Sequence, residues 1–284
     1  MRKIINFLKL FFINLFFTRN IPLKVFFGRA LMKKEYFKIK MEGEEMLIHW
    51  RGCIVAILAR YKRYNLYYRG GRWYIEYNNL KISSKKLFKL SPLISEDLEK
   101  LYKVFDYRGK NVIDIGGYIG ETALIFKKWG AKKVFIFEPL KENVEEARIN
   151  IKLNGYSEED IKIFPYAIGW DGKRIVKYCE ESYEKTDFGL REGNASMMSE
   201  GWSWKRVIDF ALKNKVDIIK VDCEGCERYL VDIPTKEIEK IPFWVIEAHS
   251  KEIKSKLMDK FRNFKVLKEF ETYPNIFVIA LSKF

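Results

Sequence analysis

Two acids and a histidine near the end of this chain are the residues best suited to chemistry. Asp222 and Glu224 directly follow the apolar run at residues 216–221, and His249 follows a second apolar run at 243–246. Carboxylates and an imidazole at the ends of core strands are the groups that take a proton from a weak nucleophile such as an alcohol, and histidine exchanges protons near neutral pH. Asp222 also has the character of a helix cap that holds a ligand. Together with Glu247, Asp222 and Glu224 could bind a divalent cation that acidifies a hydroxyl pair. The residue types leave base and metal open, and no metal is assigned to them.

A second constellation lies upstream. An apolar strand at 112–115 containing Asp114 runs into Gly116-Gly117-Tyr118-Ile119-Gly120-Glu121. A second strand at 134–137 ends in Glu138-Pro139. This βαβ order places a nucleoside-bearing ligand at the carboxyl ends of parallel strands. Glycines bring backbone close to a ligand, and an acid ending the second strand accepts both hydroxyls of a ribose. The spacing D-x-G-G-x-x-G is not that of a dinucleotide site, because Ile115 occupies the first glycine position of G-x-G-x-x-G. A carboxylate at the strand tip suits an ammonium group better than a diphosphate. The expected cofactor is therefore S-adenosylmethionine. Its candidate contacts are Asp114, Gly116, Gly117, Tyr118, Gly120, Glu121, Glu138 and Pro139, with Asp222 at the neighbouring strand; the family resemblance described below adds Ala167 and Ile168, which it implies lie beside the adenine.

The elements that must hold these residues alternate strand and helix from residue 110 onward. Helices are expected at 119–129 and 141–153, the latter stopped by Asn154-Gly155, and strands at 161–166, 216–221 and 243–246. Two strands, 264–271 and 276–281, close the chain as a hairpin, which makes one strand antiparallel in an otherwise parallel sheet. A long polar stretch, 180–204, carrying Tyr183, Phe188, Met197, Met198, Trp202 and Trp204, reads as a loop covering the acceptor.

Charge divides the chain. Residues 1–110 hold 24 basic and 9 acidic residues, a surplus of 15, while the remaining 174 hold 29 of each. An excess confined to one region points to an anionic membrane surface, RNA or a phosphorylated substrate, or to a solvated lysine-rich face. Residues 1–20 read as an amphipathic helix, too short and interrupted to cross a bilayer, that either lies in a membrane interface or packs on the protein. Residues 21–94 read as a basic, strand-rich unit with a hairpin at Gly70-Gly71, and 95–284 as the cofactor domain, entered through a linking helix at 91–109. Four cysteines are too few for a secreted disulfide framework. Cys223 and Cys226 read as small residues around a turn, with a local disulfide the alternative in a thermophile's cytosol. The expected location is cytoplasmic, at most peripheral to a membrane.

The segments 112–121, Phe137-Glu138-Pro139, Asn154-Gly155, Ala167-Ile168-Gly169, Ile219-Lys-Val-Asp222-Cys-Glu224-Gly-Cys-Glu227 and Val245-Ile-Glu247-Ala-His249 together resemble the FkbM family of S-adenosylmethionine-dependent methyltransferases. The resemblance spans roughly residues 105–284. Cysteines stand at 223 and 226 where that family usually carries apolar or small residues. The resemblance implies an α/β, Rossmann-like class I methyltransferase sheet of seven strands and methylation of a hydroxyl on a sugar, a lipid-linked glycan or another small molecule. It implies Asp222, Glu224 and His249 as the catalytic group. Two rivals remain: a ribose-methylating RNA enzyme that grips phosphates through residues 1–110, and a non-catalytic cofactor-binding module.

Overall fold

The computed structural model describes residues 36–41, 44–178 and 195–284. The expected N-terminal helix at 1–20 lies outside them. Two compact units divide at Leu98 and Glu99, and each is described by itself.

In the first unit, β1 (Tyr36–Met41) and β2 (Glu44–His49) form an antiparallel pair. A twelve-residue helix, α1 (Trp50–Tyr61), follows where no helix was expected. Its sequence, Gly-Cys-Ile-Val-Ala-Ile-Leu-Ala, is apolar almost all round and buries Cys53, Val55, Ala56, Ile57 and Ala59. It therefore lacks the polar face from which amphipathic helices are read. Strands β3 (Asn65–Arg69), β4 (Arg72–Tyr77) and β5 (Leu80–Ser84) make an antiparallel meander. The expected hairpin is there: Arg69 faces Arg72 across Gly70-Gly71, whose φ values of 57° and 78° are those of a type I′ turn. The aromatic residues of this hairpin pair with each other across the strands, Tyr67 on Tyr74 and Tyr68 on Trp73. The region expected as one linking helix is broken into α2 (Ser91–Ser95) and α3 (Leu98–Tyr102).

The second unit is a seven-stranded sheet. Its members are β6 (Asn111–Ile115), β7 (Lys133–Phe137), β8 (Ile161–Phe164), β12 (Ile218–Val221), β13 (Phe243–Ala248), β14 (Lys265–Tyr273) and β15 (Ile276–Ser282). The order is β14-β15-β13-β12-β6-β7-β8, with β15 antiparallel to both neighbours and the rest parallel. This is the class I methyltransferase arrangement. Helices α4 (Glu121–Lys128) and α5 (Lys141–Leu153) follow β6 and β7. From β6 the chain builds outward to β7 and β8, then returns to place β12 on the other side. The topological switch point, where open α/β sheets bind ligands, thus lies between the ends of β6 and β12.

The described part of the stretch expected as a covering loop, residues 195–204, is ordered. Short strand β9 (Ala167–Ile168), β10 (Gly172–Tyr178) and β11 (Ala195–Trp202) form a separate three-stranded sheet. Helix α6 (Trp204–Lys213) begins at Ser203, whose hydroxyl caps the amide of Arg206. Trp202 and Trp204 are buried core residues. The polar residues around them hid one ordered strand, β11. Residues 179–194, with Tyr183 and Phe188, lie outside the described residues.

Candidate active site

The ends of β6 and β12 meet at Gly116. A Cβ on this residue would lie 1.7 Å from the carbonyl oxygen of Asp222, and its φ is 75°. Gly117 is equally constrained, since its Cβ would stand 2.5 Å from Ile136 Cγ2. The glycines expected to make room for a ligand are thus also required by the protein's own backbone. The Asp222 amide extends the ladder to Ile115 O at 3.1 Å, and the Gly116 amide bonds Phe137 O at 2.9 Å.

Beneath this turn lies a residue the sequence reading overlooked. Lys220 is 1% exposed, and its ammonium stands 3.0 Å from Asp114 Oδ1, 3.6 Å from Asp222 Oδ2 and 3.2 Å from the carbonyl of Gly116. Burial works against its charge, but Asp114 and Asp222 outweigh that and raise its pKa above the ordinary lysine value. Asp114 is fully buried and also accepts the Thr122 hydroxyl. Its carboxylate, expected at the ligand, is engaged within the protein: it fixes Lys220, and Lys220 fixes the turn. The signal was legible as the one charge in the strand Ile218-Ile219-Lys220-Val221.

Glu138 stands at the tip of β7, 2% exposed. Its Oε2 accepts the Tyr118 amide at 3.1 Å. Its Oε1 accepts the Leu140 amide at 3.0 Å and the Asn143 side-chain amide at 3.2 Å. These contacts pin an acceptor-only group beside the glycine turn. Pro139 follows it in sequence, and Glu121 is buried in the first turn of α4. Ala167 and Ile168, expected beside an adenine, are buried in β9 and pair with Gly201 and Trp202.

Asp222, Glu224 and His249 come together, with one ligand-type atom of each within 4.8 Å of the others. Asp222 Oδ2 accepts the Tyr102 hydroxyl at 2.9 Å, and Glu247 stands beside Asp222. His249 Nε2 lies 3.2 Å from Glu224 Oε2, and Nδ1 lies 3.1 Å from Oε1 of the buried Glu227. The other oxygen of Glu227 accepts the Gly225 amide at 2.8 Å. Burial lowers the pKa of His249, but the Glu227 hydrogen bond and the charges of Glu224, Glu227 and Glu247 push it up to about 10. Both ring nitrogens of His249 thus face carboxylates.

The loop bearing these acids is closed by a disulfide. Cys223 and Cys226 are bonded, with Cα atoms 5.6 Å apart, which corrects the reading of two small turn residues. Glu224 between them holds φ at 55°, a conformation rare for a residue with a side chain. Trp204 Nε1 donates to Cys226 O at 3.0 Å and anchors the loop to the core. The turn 116–121 carries no Lys or Arg that would meet a diphosphate, and it lies next to an acceptor-only carboxylate and an acidic cluster. That set fits a cationic nucleoside such as S-adenosylmethionine.

An uncharacterized RNA methyltransferase from Clostridium acetobutylicum is 33% identical over 113 residues, 38% of this chain and 23% of that protein. This chain therefore spans about a quarter of that relative's length. Among solved structures, TrmK from M. capricolum with S-adenosylhomocysteine is 14% identical, with 66% of this chain and 67% of that one covered and a TM-score of 0.41. The ribosomal protein L11 methylase from Lactobacillus delbrueckii subsp. bulgaricus is 15% identical, with 65% and 73% covered and a TM-score of 0.38. The sequence model of the methyltransferase FkbM domain matches residues 114–266, more than half of the chain. The chain belongs to the FkbM methyltransferase family.

Proposed function

We propose that this enzyme methylates a hydroxyl of an uncharged acceptor, a sugar, glycolipid or other small molecule. The observation that carries this reading is the cluster of Asp222, Glu224, Glu227 and Glu247 around His249, next to the glycine turn. A phosphate 8 Å from one such carboxylate is repelled by about 2 kcal/mol at an effective dielectric constant of 20. Several carboxylates together therefore disfavour a polyanion at the reacting centre and leave a neutral hydroxyl welcome.

S-adenosylmethionine supplies an electrophilic methyl group. The residues of this chain bind, orient and exclude water. Glu138 takes the ribose hydroxyls, and its position is held by Tyr118, Leu140 and Asn143. Gly116, Gly117 and Gly120 line the methionine portion, with Lys220 and Asp114 stiffening the turn from below. Ala167 and Ile168 border the adenine. Asp222, Glu224 and His249 receive the acceptor hydroxyl, and alignment of that oxygen with the methyl group is the main contribution required of them.

A second reading, methylation of RNA ribose, is supported by the surplus of 15 positive charges in residues 1–110. An anionic membrane presenting a glycolipid would use the same charge. Among the described residues no helix is long and apolar enough to cross a membrane. The test is a radiolabelled-methyl assay of the full chain against separated RNA, lipid and glycan fractions. Label in glycan, glycolipid or small molecules supports the proposal. Label confined to RNA, with binding whose logarithm falls linearly with log salt, overturns it.

A further inference from the structure

We infer that Asp222, Glu224 and His249 form a binding site for a divalent cation on the acceptor side of the crevice. This deepens the proposed function, and it rests on that reading only for the ion's role, which is to hold and polarise the acceptor hydroxyl. The site itself rests on geometry.

Three features lead to it. The first is the ligand set. Two carboxylates and an imidazole, drawn from the ends of β12 and β13, bring one donor atom each within 4.8 Å of the others. A six-coordinate ion with ligands at roughly 2.1 Å separates adjacent donors by about 3 Å and opposite donors by about 4.2 Å. His249 Nε2 and Glu224 Oε2, 3.2 Å apart, already have the adjacent spacing. Closure needs only a small movement of half-buried side chains.

The second is the support behind the imidazole. Glu227 is fully buried, outside the ligand set, and its Oε1 holds Nδ1 of His249 at 3.1 Å. A histidine that ligates a metal through one nitrogen commonly has the other held by a carboxylate, which fixes ring orientation and raises ligand basicity. Here Nε2 is turned toward Glu224.

The third is charge. Four carboxylates, Asp222, Glu224, Glu227 and Glu247, gather around one ring. The lysine beside Asp222, at 3.6 Å, lies closer to Asp114 at 3.0 Å. Four carboxylates against one imidazole and one lysine leave negative charge over, and a divalent ion offsets it. One imidazole with two carboxylates favours Mn²⁺ or Zn²⁺ over Mg²⁺ or Ca²⁺.

The experiment uses the full chain stripped with a chelator and titrated with Mn²⁺, followed by electron paramagnetic resonance. One ion per chain is expected, with nitrogen modulation in the spin echo from one imidazole. His249→Ala should abolish the nitrogen signal. Asp222→Asn and Glu224→Gln should each weaken binding at least tenfold. Glu227→Gln should weaken it about 10–100-fold, as for other residues that orient metal ligands, while Glu252→Gln on the exposed helix leaves it unchanged. If Asp222→Asn fails to fold, Glu224→Gln, with its more solvent-open side chain, carries the same test. Adenosylhomocysteine binding is measured on the same samples. Cofactor bound with no Mn²⁺ uptake, or Mn²⁺ uptake that survives all three ligand substitutions, overturns the cation site and leaves the methyltransferase reading standing. Mn²⁺ bound as expected with label found only in RNA overturns the acceptor assignment alone.

Discussion

Lys220→Met isolates the interaction beneath the cofactor turn. In the native protein the ammonium sits 3.0 Å from Asp114 Oδ1, with side chains 1% and 0% exposed. Methionine replaces most of the lysine's volume, so the change is mainly electrostatic. It leaves Asp114 as a buried carboxylate held by the Thr122 hydroxyl. Breaking a buried pair from one side costs about 3–5 kcal/mol, because one charge stays behind uncompensated. In a unit the size of Glu99–Phe284, each kcal/mol moves Tm by roughly 2–4 °C, so a fall of roughly 6–20 °C is expected. Asp114→Asn with Lys220→Met removes both charges, and replacing a whole buried pair is often near neutral. The double variant should therefore be more stable than Lys220→Met alone. Urea unfolding and calorimetry of the wild type, both single variants and the double variant give the coupling energy directly. A Lys220→Met protein within 1 kcal/mol of wild type, or a cycle with no coupling, would refute the assignment of Lys220 as the support of the turn.

Other outcomes follow from the same geometry. Glu138→Gln keeps one acceptor oxygen for the Leu140 and Asn143 amides, and it loses both the acceptor of the Tyr118 amide and the charge that meets a ribose. Adenosylhomocysteine affinity by calorimetry should fall about 10- to 150-fold, the worth of a hydrogen bond to a charged group, whereas His249→Ala should spare that affinity and slow turnover. Cys53 is buried, and burial pushes its thiol up to about 12. Since the thiolate is the reactive form, iodoacetamide at pH 8 should label no cysteine in folded Cys179→Ser protein, one after denaturation, and three once the disulfide is reduced. Cys223→Ser with Cys226→Ser opens a four-residue ring worth about 2 kcal/mol in the chain-entropy account. Turnover should drop by more than that loss of stability explains, because Glu224 is then freed from its left-handed backbone. Unchanged kcat/KM in the double serine variant would argue against a role for the disulfide in positioning.

What the sequence disclosed, and what it withheld, follows the range of the interactions concerned. The sheet was legible because its strands are continuous apolar runs bounded by glycine turns, and the terminal hairpin because Pro274-Asn275 interrupts two such runs. The helix Trp50–Tyr61 was not legible, since a helix buried on nearly every side has no periodicity to read. Strand β11, in the stretch expected as a cover, was hidden for the opposite reason: Ser196, Ser199, Glu200 and Gly201 imitate a loop, while Trp202 and Trp204 face inward. At the site, residue types announced Asp222, Glu224 and His249 because acids and imidazole are rare at the ends of core strands. Their partners, Lys220, Tyr102 and Glu227, act across 2, 120 and 22 residues of sequence, and their side chains are 7% exposed or less. Local pattern reports which groups are present, whereas the charge each carries is set by neighbours brought in by the fold. Asp114 illustrates the point most sharply. Read alone it is a carboxylate aimed at a ligand; set against Lys220 it is half of a buried pair, and the turn above it is rigid because of that pairing.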